Sequence, residues 1–124
     1  MPPEILRLVT DSHVPPAVIE AARKLAPLVI CPLRDWHNGL HLHQPDARLL
    51  ALAWEDRVTL VTYDVNTFPL AVKERLEAGL SHAGMVYVSA RYRQNDVGAI
   101  ARGLVKLWRA EKALDWTNRI RFLD

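Results

Sequence analysis

The chain has 124 residues, of which 50% are hydrophobic and 24% charged, and its formal net charge is +2. That length supports one domain with a real core, spanning residues 1–124, and is too short for two ordinary ones. No apolar run is long enough to span a bilayer, and a single cysteine, Cys31, excludes an intrachain disulfide.

Met1-Pro2-Pro3-Glu4 lacks the basic region and apolar core of a signal peptide, so a cytoplasmic location is the expectation. Charge is unevenly spread. Residues 1–90 hold eight Lys/Arg against ten Asp/Glu, whereas residues 91–124 hold eight against four. An acidic centre beside a basic surface suits a protein that binds a metal and a polyanion, although basic helix faces are often only solvated.

Ile5-Leu6-Arg7-Leu8-Val9-Thr10 reads as a first strand, and Asp11-Ser12-His13 as the turn after it. Pro15-Pro16 suits a first helical turn. Val14, Val18, Ala21, Ala22 and Leu25 recur at helical spacing up to about Ala26, where Pro27 stops the helix. Residues 28–31 form a short buried strand that includes Cys31 and ends at Pro32. Residues 33–44 show no periodicity, and a loop of that length in a compact domain is functional or mobile.

Pro45-Asp46 opens a second helix through Leu49, Leu50, Leu52, Ala53 and Trp54. Val58-Thr59-Leu60-Val61-Thr62-Tyr63 is the strongest strand, being rich in β-branched residues. Asp64-Val65-Asn66-Thr67-Phe68-Pro69 turns into a third helix over residues 70–78, which Gly79 ends. A fourth strand follows at residues 85–89, then a polar link at 91–95. Asp96 caps a last helix that carries Val97, Ile100, Ala101, Leu104 and Trp108 on one face. The tail adds a short strand at residues 118–123. Alternation of this kind predicts an α/β fold with a mostly parallel sheet of four to five strands and helices on both faces. Right-handed crossovers place the first and third strands side by side.

Three aspartates carry the functional signal. Asp11 and Asp64 close the first and third strands, which sets both at the sheet edge where open α/β proteins bind ligands. Asp46 begins the helix that precedes the third strand. Carboxylates gathered at one edge repel one another, and a hard divalent cation is the usual means of keeping them ionised. Each also has a plain structural role open to it: Asp11 as a helix cap, Asp64 as a turn former, Asp46 as an acid at a helix N-terminus. Asn66 reads as a turn residue near the site. Ser12-His13 beside acids does not make a hydrolase triad, because no nucleophile elbow is present.

These residues resemble a known group. Thr10-Asp11-Ser12-His13-Val14-Pro15 is similar to the opening of the small bacterial PIN-like proteins, which read Asp-Glu-Asn/His-Val/Leu-Pro after the first strand. Pro45-Asp46 with Leu49-Leu50-Ala51-Leu52-Ala53 resembles their second acidic position and its helix. Residues 58–68 resemble their Arg-Val-Leu-Val-Thr-x-Asp-x-Asp-Phe signature, and His82-Ala83-Gly84-Met85-Val86 their entry to the fourth strand. The match spans roughly residues 5–110.

The resemblance implies a PIN-like three-layer α/β/α fold and a Mg²⁺- or Mn²⁺-dependent endoribonuclease, the toxin of a toxin–antitoxin pair. RNA would be the substrate, an antitoxin and a second copy of the chain the partners. It assigns Asp11, Asp46 and Asp64 as catalytic metal-binding acids, with Asn66 as a further ligand. Ser12 and Asn66 stand where relatives often carry Glu and Asp. Both departures remove negative charge, which implies weaker metal affinity. The alternative is a catalytically degenerate PIN-like module that binds RNA or protein.

Other features have weaker claims. His37, His41 and His43 form a cluster that a Zn²⁺ site would need, but the spacing matches no zinc motif. Arg102, Lys106 and Arg109 share one face of the last helix, and with Arg91 and Arg93 they are the candidate nucleic-acid contacts. Trp54 and Trp108 read as core, whereas Trp36 and Trp116 fall in irregular segments and are candidate partner contacts. A phosphoacceptor receiver domain also places acids after parallel strands. It needs an acidic pair after the first strand and a lysine after the fifth, and neither is evident.

Overall fold

A computed structural model describes residues 5–89, 91–93 and 95–123 of the chain. Met1, Pro2, Pro3 and Glu4, the segment that bears on a targeting signal, lie outside them. Five strands and four helices alternate: β1 (Arg7–Thr10), α1 (Pro16–Leu25), β2 (Val29–Pro32), α2 (Asp46–Asp56), β3 (Thr59–Thr62), α3 (Phe68–Glu77), β4 (Met85–Val88), α4 (Val97–Glu111) and β5 (Ile120–Leu123).

The strands form one sheet in the order β2-β1-β3-β4-β5, and all four pairings are parallel. The expected mostly parallel sheet is thus wholly parallel, and the tail contributes its fifth strand. The chain leaves β1 towards β2 on one side and returns to β3 on the other. The carboxyl ends of β1 and β3 therefore flank the point where the winding reverses, which is where such sheets open a crevice.

Strand periodicity sorts the core into two layers. Leu6, Leu8, Val61, Val86 and Val88 pack with α1 and α4. Val9, Leu60, Met85 and Tyr87 pack with α2 and α3. Successive strand residues point to opposite faces, so both faces of β3 and β4 are covered and every residue in them is buried. That is why these strands read as continuous apolar runs rather than as alternating ones. Each fully buried Val or Leu contributes about 1.5–3 kcal/mol, so the central strands are the most strongly held part of the sheet.

Local chemistry sets the element ends. Pro27 disfavours helical geometry in the residue before it, and Ala26 is extended at φ −160°, ψ 157°. Helix α2 ends on Arg57 in the left-handed region at φ 55°, with its guanidinium stacked 3.5 Å from the centre of the Trp54 ring. The third helix begins at Phe68, two residues earlier than the periodicity suggests, since Pro69 is tolerated in a first turn. Pro32 lies inside β2 rather than after it, on an edge strand, where a missing N–H is harmless.

Gly84 explains the short motif ahead of β4. It sits at φ +105°, and a Cβ there would come within 2.8 Å of the Trp116 ring. The Gly84 N–H donates to His82 Nδ1 at 3.0 Å, and burial pushes the His82 imidazole down towards its neutral form. His82 and Gly84 therefore build the entry to β4, at the sheet edge opposite Asp11 and Asp64.

Two tryptophans correct the sequence reading. Trp36 and Trp116 are each only 7% exposed, so neither is available as a partner contact. Trp36 donates through Nε1 to Asp56 at 3.0 Å and Trp116 to the Glu111 carbonyl at 2.9 Å. Trp54, by contrast, is only half-buried, as is Cys31. Among the described residues no helix is long and apolar enough to cross a membrane.

Candidate functional site

Asp11 follows β1 directly, and its backbone N–H donates to the Val61 carbonyl of β3 at 2.9 Å. The parallel register pairs Thr10 with Val61, which sets Asp11 beside Thr62. Both belong to the face that α2 and α3 cover, by the same alternation that places Val9 and Leu60 there. The Thr62 hydroxyl donates to Asp11 Oδ2, and the His13 N–H donates to Asp11 Oδ1 at 3.0 Å. Asp11 does not cap α1, whose N-cap position is Pro15. The carboxylate is buried, at 8% exposure, and burial raises its pKa despite the Thr62 and His13 hydrogen bonds.

Asp64 sits two residues past β3. Its N–H donates to Thr62 Oγ1 at 2.9 Å, so one threonine hydroxyl links the first acid to the third. Asp64 Oδ1 accepts from the N–H groups of Asn66 and Thr67 at 2.9 and 2.8 Å, the turn-forming role open to it. Its other oxygen accepts from the Thr67 hydroxyl. That bond, followed by the backbone ones, holds the Asp64 carboxyl below its ordinary value.

Asp46 is the first residue of α2, one position after its N-cap, Pro45. Asp46 Oδ2 meets the Thr67 hydroxyl at 2.8 Å. Two carboxylates thus converge on one hydroxyl, which has a single proton and can donate to only one of them at a time. Two acceptors therefore compete for one donor, and an oxygen-seeking cation would satisfy both.

The three acids are therefore chained through Thr62 and Thr67 rather than gathered round one point. Among the described residues no three His, Cys, Asp or Glu side chains lie close enough together to hold an ion. The Asn66 side chain is exposed, and only its backbone contacts Asp64. An all-oxygen pair, Asp46 and Asp64, suits Mg²⁺ or Mn²⁺, since Mg²⁺ keeps several waters and takes only one or two carboxylates.

Three further residues belong to this edge. Thr62 and Thr67 read from the sequence only as strand and turn formers. Tyr87 reads only as an apolar strand position. It pairs with Thr62 across β3 and β4, on the same face as Asp11, and its ring meets Phe122 of β5 at 5.3 Å. Burial, followed by the charges of Asp64 and Asp46, pushes the Tyr87 phenol up to about 12. The signal that finds Thr62 and Tyr87 is strand parity combined with register, whereas Thr67 lies in the turn before α3 and carries no such signal.

The remaining candidates divide. Arg91 and Arg93 are exposed in the link after β4, at the acidic edge. Arg102, Lys106 and Arg109 run down α4 away from that edge. The far end of α4 is tied to the start of β1, where the Leu6 N–H donates to the Lys112 carbonyl at 3.0 Å. Arg109 donates to the Leu25 carbonyl at the end of α1, at 3.2 Å. These three line a groove with Leu25, Val105 and Ala110, so the five cations do not form one surface. Asp96 is the N-cap of α4, accepting from the Ala99 N–H at 3.4 Å.

The histidine cluster also resolves. His37 hydrogen-bonds Asp56 through Nε2, in a short 3-10 turn at Trp36–Gly39 where His37 and Asn38 adopt positive φ. The His37 and His41 rings meet in a T-shaped, edge-to-face arrangement with centroids 5.2 Å apart. His43 is exposed.

No family model matches the chain, and no curated protein or solved structure matches it.

Proposed function

We propose that the chain is a PIN-like, Mg²⁺- or Mn²⁺-dependent endoribonuclease, with Asp46 and Asp64 as the cation ligands. The observation that carries this reading is the convergence of those two carboxylates on the single hydroxyl of Thr67. When bound, the cation supplies Lewis acidity towards a phosphoryl oxygen and towards the attacking water.

The acids have different parts in this reading. Asp64, held below its ordinary value, stays ionised and binds. Asp11, raised by burial, is the better proton acceptor. Carboxylates pushed apart in this way commonly divide acid–base and electrostatic work. Thr62 orients Asp11 and the Asp64 backbone together. Arg91 and Arg93, exposed at the same edge, suit the phosphates of an RNA chain. The sequence resemblance adds a toxin role with a cognate antitoxin, and a homodimer, as parts of the same proposal.

The degenerate-module reading is favoured by one observation, the lack of a third ligating side chain beside Asp46 and Asp64 among the described residues. Cleavage of a mixed-sequence RNA by purified protein separates the two. The nuclease reading expects products with Mn²⁺, none with chelator, and none from Asp64→Asn. RNA that is bound but left intact with Mn²⁺ supports the binding module instead.

The receiver reading gains no support from the site. Ser12 stands where a second acid is needed. The strand residues of β5 include no lysine, and Arg121 is engaged by Glu111 at 2.9 Å.

A further inference from the structure

Tyr87 is 2% exposed, and its hydroxyl has no hydrogen-bond partner among the described residues. Buried tyrosines ordinarily pair their hydroxyl, and a phenylalanine would fill the same space without leaving that group unpaired. The side chain stands on the α2–α3 face of β4, level with Thr62. Thr62 in turn holds the backbone of Asp64 and the carboxylate of Asp11. The unpaired hydroxyl lies on the face of the sheet that carries Asp11 and Thr62, and the charges of Asp64 and Asp46 both act on it.

A carboxylate that ligates a cation needs a second partner to fix its orientation, and such outer partners are common in metal sites. In the metal-free arrangement the turn N–H groups and the Thr67 hydroxyl supply the partners of Asp64. A bound cation would compete with the Thr67 hydroxyl for Asp64 Oδ2 while the turn N–H groups keep Oδ1, and a further donor to Oδ2 would then hold the carboxylate against the cation. We propose that Tyr87 is a positioning residue for the cation site, its hydroxyl serving as the donor that holds the Asp64 carboxylate on the cation. The proposal rests on the reading of Asp46 and Asp64 as cation ligands. It extends that reading to a residue that has no carboxylate and cannot be a first-choice ligand for a hard cation.

The test is Tyr87→Phe, with Mn²⁺ affinity measured by calorimetry and the stability of the metal-free protein measured by thermal unfolding. A structural hydroxyl and a positioning hydroxyl give opposite results. The expected result is a metal-free variant at least as stable as the wild type, with Mn²⁺ affinity weakened about 10- to 100-fold. Mg²⁺ addition should also give the wild type a tyrosine difference absorption that the variant lacks. Unchanged Mn²⁺ affinity in the folded variant overturns the proposal, as does a less stable metal-free variant, which shows that the hydroxyl already has a structural partner. If the folded wild type binds no Mn²⁺, the cation reading itself fails and the role of Tyr87 falls with it.

Discussion

The Thr62 hydroxyl donates to the buried carboxylate of Asp11, 51 residues away in the chain, and accepts from the backbone of Asp64. One side chain therefore ties the ends of β1 and β3 together at the point where the sheet reverses its winding. A single proton and two lone pairs suffice for this. No residue without a hydroxyl can do it in the same volume.

Thr62→Val keeps the shape and removes both bonds. It leaves a buried carboxylate without its side-chain donor and the Asp64 N–H without an acceptor. The expected cost is about 1–3 kcal/mol, read from urea unfolding at neutral pH. Thr62→Ser retains the hydroxyl and should recover most of that loss. Equal destabilisation by Ser and Val would assign the effect to packing instead.

The two linked acids should titrate stability in opposite senses. Burial raises Asp11 above its ordinary 3.8, so the fold favours its protonated form. Its contribution is fully present below pH 3.8 and is lost as pH rises through the raised value. Asp64 is held below 3.8, so its contribution is present above that pH and is lost as pH falls through the lowered value. In metal-free protein, wild type should therefore lose stability relative to Asp11→Asn as pH climbs above 3.8. Relative to Asp64→Asn it should lose stability as pH drops below 3.8. Unfolding free energies of the three proteins across pH 2–7 decide this, and parallel curves would contradict both assignments.

Much of the architecture was legible in the residues. The β-branched runs at Val58–Thr62 and Arg7–Thr10, each ending near an aspartate, placed β3 and β1, and the alternation of elements required a parallel sheet. The partners of the aspartates were not legible. Thr62 reads as an ordinary strand former until the register of β1 against β3 is known, and Tyr87 reads as core until its strand face is known. Trp36 and Trp116 were hidden by the irregular segments that carry them. The turn at Trp36–Gly39 depends on positive φ at His37, Asn38 and Gly39, a conformation that leaves no periodic trace. The groove under Arg109 likewise depends on how α4 packs against α1, which helix periodicity does not specify.

The division of the basic residues has its own consequence for RNA binding. Arg91 and Arg93 flank the acidic edge, and removing one phosphate-binding cation should lower the salt dependence of binding by about one counterion. Arg91→Ala/Arg93→Ala should therefore weaken RNA binding and reduce its salt slope by about two. Arg109→Ala, at the far end of α4, should leave both unchanged. Filter binding over a range of salt concentrations measures this, and a larger effect from Arg109 would move the RNA path onto the α1–α4 face.

The central claim is that Asp46 and Asp64 hold a divalent cation, and calorimetric titration of Mn²⁺ into the metal-free protein tests it most directly. Wild type should bind, while Asp46→Asn and Asp64→Asn, shown to be folded by circular dichroism, should each lose most of the affinity. Binding that persists unchanged in both folded variants, or a wild type that binds nothing at millimolar Mn²⁺, would contradict the account.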